Sequence, residues 1–198
     1  DAAVALTTAE VAALTTAQAA ALTTTQAAVL ETADMAALGT INLRALSTEA
    51  VAALSTANVD QLSATQVAAL TTAQVHALTT DQINALGTAE VAALGTASLR
   101  ALDNTALQTL GTDDIVALST AQVAGLSTAQ IAALTTDQIG VLETADLRAL
   151  SASSLQPFPT DEVVALLAAQ VAGMLSAALV AFSTTQIAAM ATDDVQAL

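Results

Sequence analysis

The 198-residue chain contains no cysteine, no lysine, no tryptophan and no tyrosine. Without cysteine there is no disulfide framework, no thiol chemistry and no cysteine-ligated metal. Its only bases are Arg44, Arg100 and Arg148, set against 18 acids, for a formal charge of −15. Three arginines build no basic patch, so a nucleic-acid partner is excluded and an anionic membrane surface is disfavoured. Aromatic side chains are limited to Phe158 and Phe182, and prolines to Pro157 and Pro159. A single histidine, His76, supplies neither a zinc motif nor a catalytic triad. The first residue is Asp1, with no methionine or signal peptide ahead of it, so the chain reads as a piece of something longer or as a processed product. What it does have is apolar residues, at 55% too many for a disordered segment.

Those apolar residues recur with a period of eight. Leu6, Leu14, Leu22 and Leu30 open a series that keeps strict phase through Leu150 and continues as Phe158, Leu166, Met174, Phe182, Met190 and Leu198. Thr7 to Leu198 is 192 residues, or 24 octads without insertion or deletion. Thr71-Thr72-Ala73-Gln74-Val75-His76-Ala77-Leu78 is a typical one. The eighth position is Leu in 20 of the 24, and the fifth is apolar in all. The second is Thr in 19, and the fourth is Gln, Glu, Asp or Asn in 19. The first is mostly Ser, Thr or Gly, and Ala is common at the third, sixth and seventh.

A period of eight excludes one continuous helix. At about 100° per residue, eight residues leave roughly 80° of drift per octad, and the apolar positions never form a seam. In a strand, positions five and eight would face opposite sides, and alanine is a poor strand former. The remaining solution is a short helix in every octad, reset by a turn. Ser or Thr at position one with Gln or Glu at position four makes a capping box, as in Thr71 with Gln74, Ser119 with Gln122 and Ser127 with Gln130. Where position one is glycine, as at Gly87, Thr88 is an alternative cap, and both registers stay open. Gly39, Gly87, Gly95 and Gly111 all stand at position one, where a positive φ is expected.

Helices of about six residues do not stand alone, because nucleation is never repaid over one turn. Positions five and eight must be buried against neighbouring octads, which predicts an all-α solenoid with a continuous core. Handedness and the number of octads per coil stay open; three is the smallest number that closes around a core. Residues 1–158 read as the regular array. Residues 159–198 keep its phase beyond the break at Pro157 and Pro159, with a longer apolar helix expected at about 161–182, either capping the array or packed into its core. From Val163 to Phe182 no residue is charged, but Gln170, Ser176 and the unbroken octad phase argue against a membrane span.

The sequence assigns no catalytic, cofactor-binding or metal-ligating residue. Asp113-Asp114, Asp161-Glu162 and Asp193-Asp194 are acid pairs without the spacing of a calcium loop; at the starts of helices they favour the local dipole instead. Glu31 with Asp34 and Glu143 with Asp146 have the look of paired carboxylates but imply no glycosidase cleft. The arginines share position six in three Leu-Arg-Ala-Leu motifs, where a surface ion pair with Asp103 or Asp146 is expected. The candidate ligand-facing feature is a rank of position-two hydroxyls: Thr72, Thr80, Thr88, Thr96, Thr112, Thr120, Thr128, Thr136 and Thr144.

The phrase Leu-Thr-Thr-x-Gln-Ile/Val-x-Ala-Leu, as in Leu70 to Leu78, Leu78 to Leu86 and Leu134 to Leu142, resembles the short repeats of very large bacterial secreted or surface proteins. That resemblance implies an extracellular or cell-surface bacterial spacer or adhesin stalk. A likeness to the DNA-reading repeats of plant pathogens, which open with Leu-Thr-x-x-Gln-Val-x-Ala, fails on unit length and on charge. The expected function is therefore a structural repeat module, a spacer, stalk or scaffold and not an enzyme, monomeric by default and without membrane insertion. The alternative is a binding array in which the threonine rank meets a glycan, ice or a protein surface. Self-association through the array ends is a further expectation.

Overall fold

The octad divides into six residues that wind and two that turn. In the octad Thr71–Leu78, Thr71 is extended (φ −73°, ψ 155°), Thr72–Ala77 is helical, and Leu78 is extended again (φ −62°, ψ 137°). Leu78 and Thr79 (φ −71°, ψ 160°) together make the corner into the next helix, Thr80–Asn84. The computed structural model describes residues 6–166, 168–174 and 180–196. Among these, every helix is four to six residues long and there is no strand.

Contacts divide the chain into two compact units, Asp1–Leu102 and Asp103–Leu198. In the first, each helix packs on the third helix along: Thr16–Ala20 on Thr40–Ala45, that on Ala64–Ala69, and that on Thr88–Ala93. In the second, Thr112–Ala117 packs on Thr136–Gly140, that on Thr160–Ala165, and that on Thr184–Ala189. Three octads therefore make one coil in each unit, and 24 residues separate equivalent positions of adjacent coils. Each unit is an all-α helical solenoid.

The core is built as the period requires. Position five is fully buried from Val11 through Val75, Ile83 and Leu99 in the first unit, and from Leu107 to Val171 in the second. Position eight is buried at nearly every octad, with Leu38 and Leu94 the most enclosed. Each such side chain contributes about 1.5–3 kcal/mol relative to its exposed state. No single five-residue helix supplies enough of them to fold by itself.

Two expectations are corrected here. Among the described residues no glycine has a positive φ. Gly39, Gly87, Gly95 and Gly111 are extended N-caps, with φ between −62° and −75°. The corner is made from two extended residues, so no left-handed residue is needed to stop the helix. The longer helix expected at about 161–182 is divided instead: Thr160–Ala165 ends at an extended Leu166 (φ −65°, ψ 133°), and Ala168–Gly173 follows. Leu166 stands at position eight, and it is buried there like nearly all the corner leucines of the described residues. The remainder of that expectation, at 167 and 175–179, lies outside the described residues.

Candidate functional site

The polar chemistry of the molecule is concentrated at position four. Gln74 is 2% exposed. Its Oε1 accepts from the Thr71 backbone N–H at 2.9 Å and from the Thr71 hydroxyl at 3.1 Å. The Thr71 hydroxyl oxygen accepts in turn from the Gln74 N–H at 3.2 Å, closing the capping box. Its Nε2 reaches the other way and donates to the carbonyls of Leu43 at 2.8 Å and Leu46 at 2.9 Å. One amide thus completes the start of its own helix and the end of a helix in the coil beneath, where the Leu43 carbonyl otherwise accepts only from the Leu46 N–H at 3.3 Å and the corner carbonyl of Leu46 lies past the last helical partner.

The same bonds repeat with the same offsets of 31 and 28 residues. Gln66 donates to Met35 and Leu38, and Gln82 to Val51 and Leu54. In the second unit Gln138 donates to Leu107 and Leu110, Gln170 to Ile139 and Leu142, and Gln186 to Phe158 at 2.8 Å. Asparagine is one methylene shorter and reaches only the nearer carbonyl: Asn42 donates to Leu14 at 2.8 Å and Asn58 to Leu30 at 2.9 Å. The sequence pattern showed the capping half of this role. It hid the other half, because the partner is a backbone carbonyl four octads back and carries no side-chain signature.

Position six makes a second, outer link. His76 is exposed at its rim and its Nδ1 bonds the Ala101 carbonyl at 2.8 Å, 25 residues ahead. Only a protonated Nδ1 donates to a carbonyl. Gln108 makes the same bond to Ala133 at 2.7 Å. A Cβ added to Gly140 would lie 3.9 Å from the Ala165 carbonyl, at the same offset. The lone histidine is an inter-coil fastener in this structure.

Among the acids, Asp34, Asp114 and Asp146 complete the starts of their own helices. Asp34 accepts from the Glu31 N–H at 2.8 Å and from the Thr8 hydroxyl at 2.9 Å. Asp146 accepts from the Glu143 N–H at 3.1 Å, and Asp114 from the Gly111 N–H at 2.9 Å. Asp103 accepts from the Ala106 N–H at 2.7 Å. The carboxylates expected to pair with arginines are thus engaged by their own helix starts. No group of three or more His, Cys, Asp or Glu able to hold a metal occurs among the described residues, and none of their helices is long and apolar enough to cross a membrane.

The position-two threonines are first helical residues, one step inside the cap. Capping hydroxyls come from position one, and in the glycine octads the N-cap is the glycine itself, with Thr88 opening the helix. The nine threonines are distributed over different faces of the coil. In the first unit Thr72 and Thr96 open stacked helices, while Thr80 and Thr88 each open a helix on another side. In the second, Thr112 aligns with Thr136 and Thr120 with Thr144, and Thr128 lies on the third side. Thr72, Thr88, Thr96, Thr112, Thr128 and Thr136 are exposed; Thr80, Thr120 and Thr144 are half-buried. An open depression near the start of the chain is lined by Leu14, Thr15, Gly39, Ile41 and Asn42 and holds no titratable side chain.

The sequence model of the ALTTAQ repeat matches the chain over residues 27–64, 59–88, 83–118, 107–143 and 139–176. No curated protein matches it.

Proposed function

The chain belongs to the ALTTAQ repeat family, and from that premise we propose that it is a structural spacer or stalk segment of a larger extracellular, cell-surface bacterial protein. The observation that carries this reading is where its hydrogen-bonding side chains are spent. The buried amides of Gln66, Gln74, Gln82, Gln138 and Gln170 bond helix ends of an adjacent coil. Such a seam propagates stiffness from coil to coil. The charge of −15 keeps neighbouring copies apart in solution.

Spacing is measurable. Ala17, Ile41, Thr65 and Ala89 are exposed position-three residues on successively stacked helices of the first unit. The natural absence of cysteine allows spin labels to be placed through Ala17→Cys paired in turn with Ile41→Cys, Thr65→Cys and Ala89→Cys. Packed helices lie about 8–10 Å apart, so each added coil lengthens the measured distance by about that much. A distance that stops growing after the first coil would overturn the spacer reading.

A second reading is favoured by one observation: position-two threonines are not the capping residues, and six of the nine are exposed. Short files of hydroxyls, such as Thr112 with Thr136, would meet a glycan, ice or a protein surface. Thermal hysteresis or retention on a glycan array, lost on changing Thr112 and Thr136 to Val, would establish it. Silence in both assays leaves the spacer.

A further inference from the structure

One octad breaks the pattern of the seam. In Pro159–Leu166 the position-four residue is Glu162, 4% exposed, and its Oε2 is buried without a hydrogen-bond partner. Its register is that of Gln138, Gln170 and Gln186. Counting back the 31 and 28 residues that separate those glutamines from their acceptors places Glu162 over the carbonyls of Ile131 and Leu134. Both lie at a helix end: the Ile131 carbonyl accepts from the Leu134 N–H at 3.4 Å, and the Leu134 carbonyl, at the corner, expects a donor. A carboxylate has none to give.

The other half of the joint is missing as well. The Oε1 atoms of Gln66, Gln74, Gln82, Gln138 and Gln186 each accept from the N–H of the N-cap residue, as in Thr135 to Gln138 at 2.9 Å and Ser183 to Gln186 at 2.7 Å. The N-cap of the Glu162 helix is Pro159, which has neither an N–H nor a hydroxyl. Glu10 provides the internal comparison. It holds the same position, accepts from the Thr7 N–H and hydroxyl at 2.8 Å each, and is exposed. Those bonds hold its carboxyl below the usual range.

We propose that Glu162 is a protonated stand-in for the seam glutamine, its single carboxylic O–H donating to the helix-end carbonyl of Leu134, so that this joint between coils is closed by a proton and loosens when the proton leaves. Burial first, and the neighbouring charge of Asp161 second, push the Glu162 carboxyl up to about 8. The helices packed on its own are Thr136–Gly140 and Thr184–Ala189. The first contributes the exposed Asp137, a further negative charge, and the second carries no charged residue. The corner from Thr128 to Leu134 is uncharged. No cation faces the group from these elements, so a proton is its simplest neutralising partner.

The linkage has a definite sign. A carboxyl held protonated in the folded chain and ionised in the unfolded one stabilises fully below the ordinary carboxylate range, and the contribution is lost as pH rises to about 8. In that window one bound proton changes the unfolding equilibrium constant by up to tenfold per pH unit. The test is carboxyl carbon NMR on the full chain with labelled glutamate, the Glu162 resonance being the one that disappears in Glu162→Gln. One glutamate titrating well above the other five supports the proposal; all six titrating together near 4–5 overturns it. Urea unfolding from pH 5 to 9 gives the second readout. The wild type weakens across that range more steeply than Glu162→Gln, and parallel curves overturn the proposal. Pro159→Ser restores both donors and should bring the Glu162 titration down towards that of Glu10. A Glu162 resonance moved at neutral pH by calcium chloride alone would show a cation in place of the proton and overturn it.

Discussion

A buried amide at position four has four bonds to place, and Gln74 places all of them: two accepted at its own cap and two donated to Leu43 and Leu46. The site therefore discriminates between side chains of almost identical shape. Gln74→Glu keeps the acceptor that completes the capping box and loses both donors, leaving two buried carbonyls facing a negative charge. A cost of about 1–3 kcal/mol at pH 7 is expected, and urea unfolding reads it directly. Part of the loss returns on acidification, because the protonated acid regains a donor. Gln74→Asn should cost less, since Asn58 shows that the shorter amide still reaches one carbonyl, that of Leu30. If Glu and Asn were equally tolerated at neutral pH, the inter-coil bonds would not be contributing.

A helix of five residues has almost no interior, so its ends decide its stability. The Ser127 hydroxyl oxygen accepts from the Gln130 N–H at 3.2 Å, and Ser127→Ala should cost about 0.5–2 kcal/mol. Gly95→Ser has open space around the added Cβ and should gain only a few tenths of a kcal/mol, because glycine is itself a fair N-cap. At the other end of a helix the demand is steric. A Cβ on Gly173 would strike the side chain of Thr144 in the coil beneath. Gly173→Ala should lower stability by about 1–3 kcal/mol, and Thr144→Ala in the same chain should recover most of it. The thermal midpoints of the two single variants and the double variant measure this coupling. These element-level features were unevenly legible. Caps announce themselves in sequence because Ser, Thr and Gln sit three residues apart. The requirement at Gly173 was hidden because its cause lies 29 residues away. The glycines at position one misled because a helix stop suggests a left-handed residue, whereas Leu and its successor turn the corner while both extended. The uncharged run after Val163 suggested one long helix. The position-eight leucine at 166 answers to the core and takes the extended corner conformation in spite of the run.

For the whole molecule, the period of eight was readable because a straight helix cannot keep it, and the burial of positions five and eight followed. Three octads per coil was not readable: it depends on how two extended residues turn the chain, which no side chain encodes. The glutamine seam explains why the array tolerates so much sequence drift elsewhere. Each amide reads backbone carbonyls, so any octad beneath serves as well as any other, and stability accrues through nearest-neighbour interfaces. This leads to an inverted expectation for deletions in the first compact unit. Removing all of Thr71–Leu78 takes out eight residues but leaves every remaining octad in phase, with Gln82 and its successors stacked on new but equivalent corners. Removing only residues 71–74 deletes half as much chain, yet it strips Val75 and Leu78 of their cap and leaves the carbonyls of Leu43 and Leu46 without the amide of Gln74. The larger deletion should keep the helical ellipticity per residue and lose little unfolding free energy. The smaller one should lose both, by circular dichroism and urea unfolding on matched samples. The opposite ranking would mean that the octad is a pattern of composition and that the cooperative unit of the fold lies elsewhere.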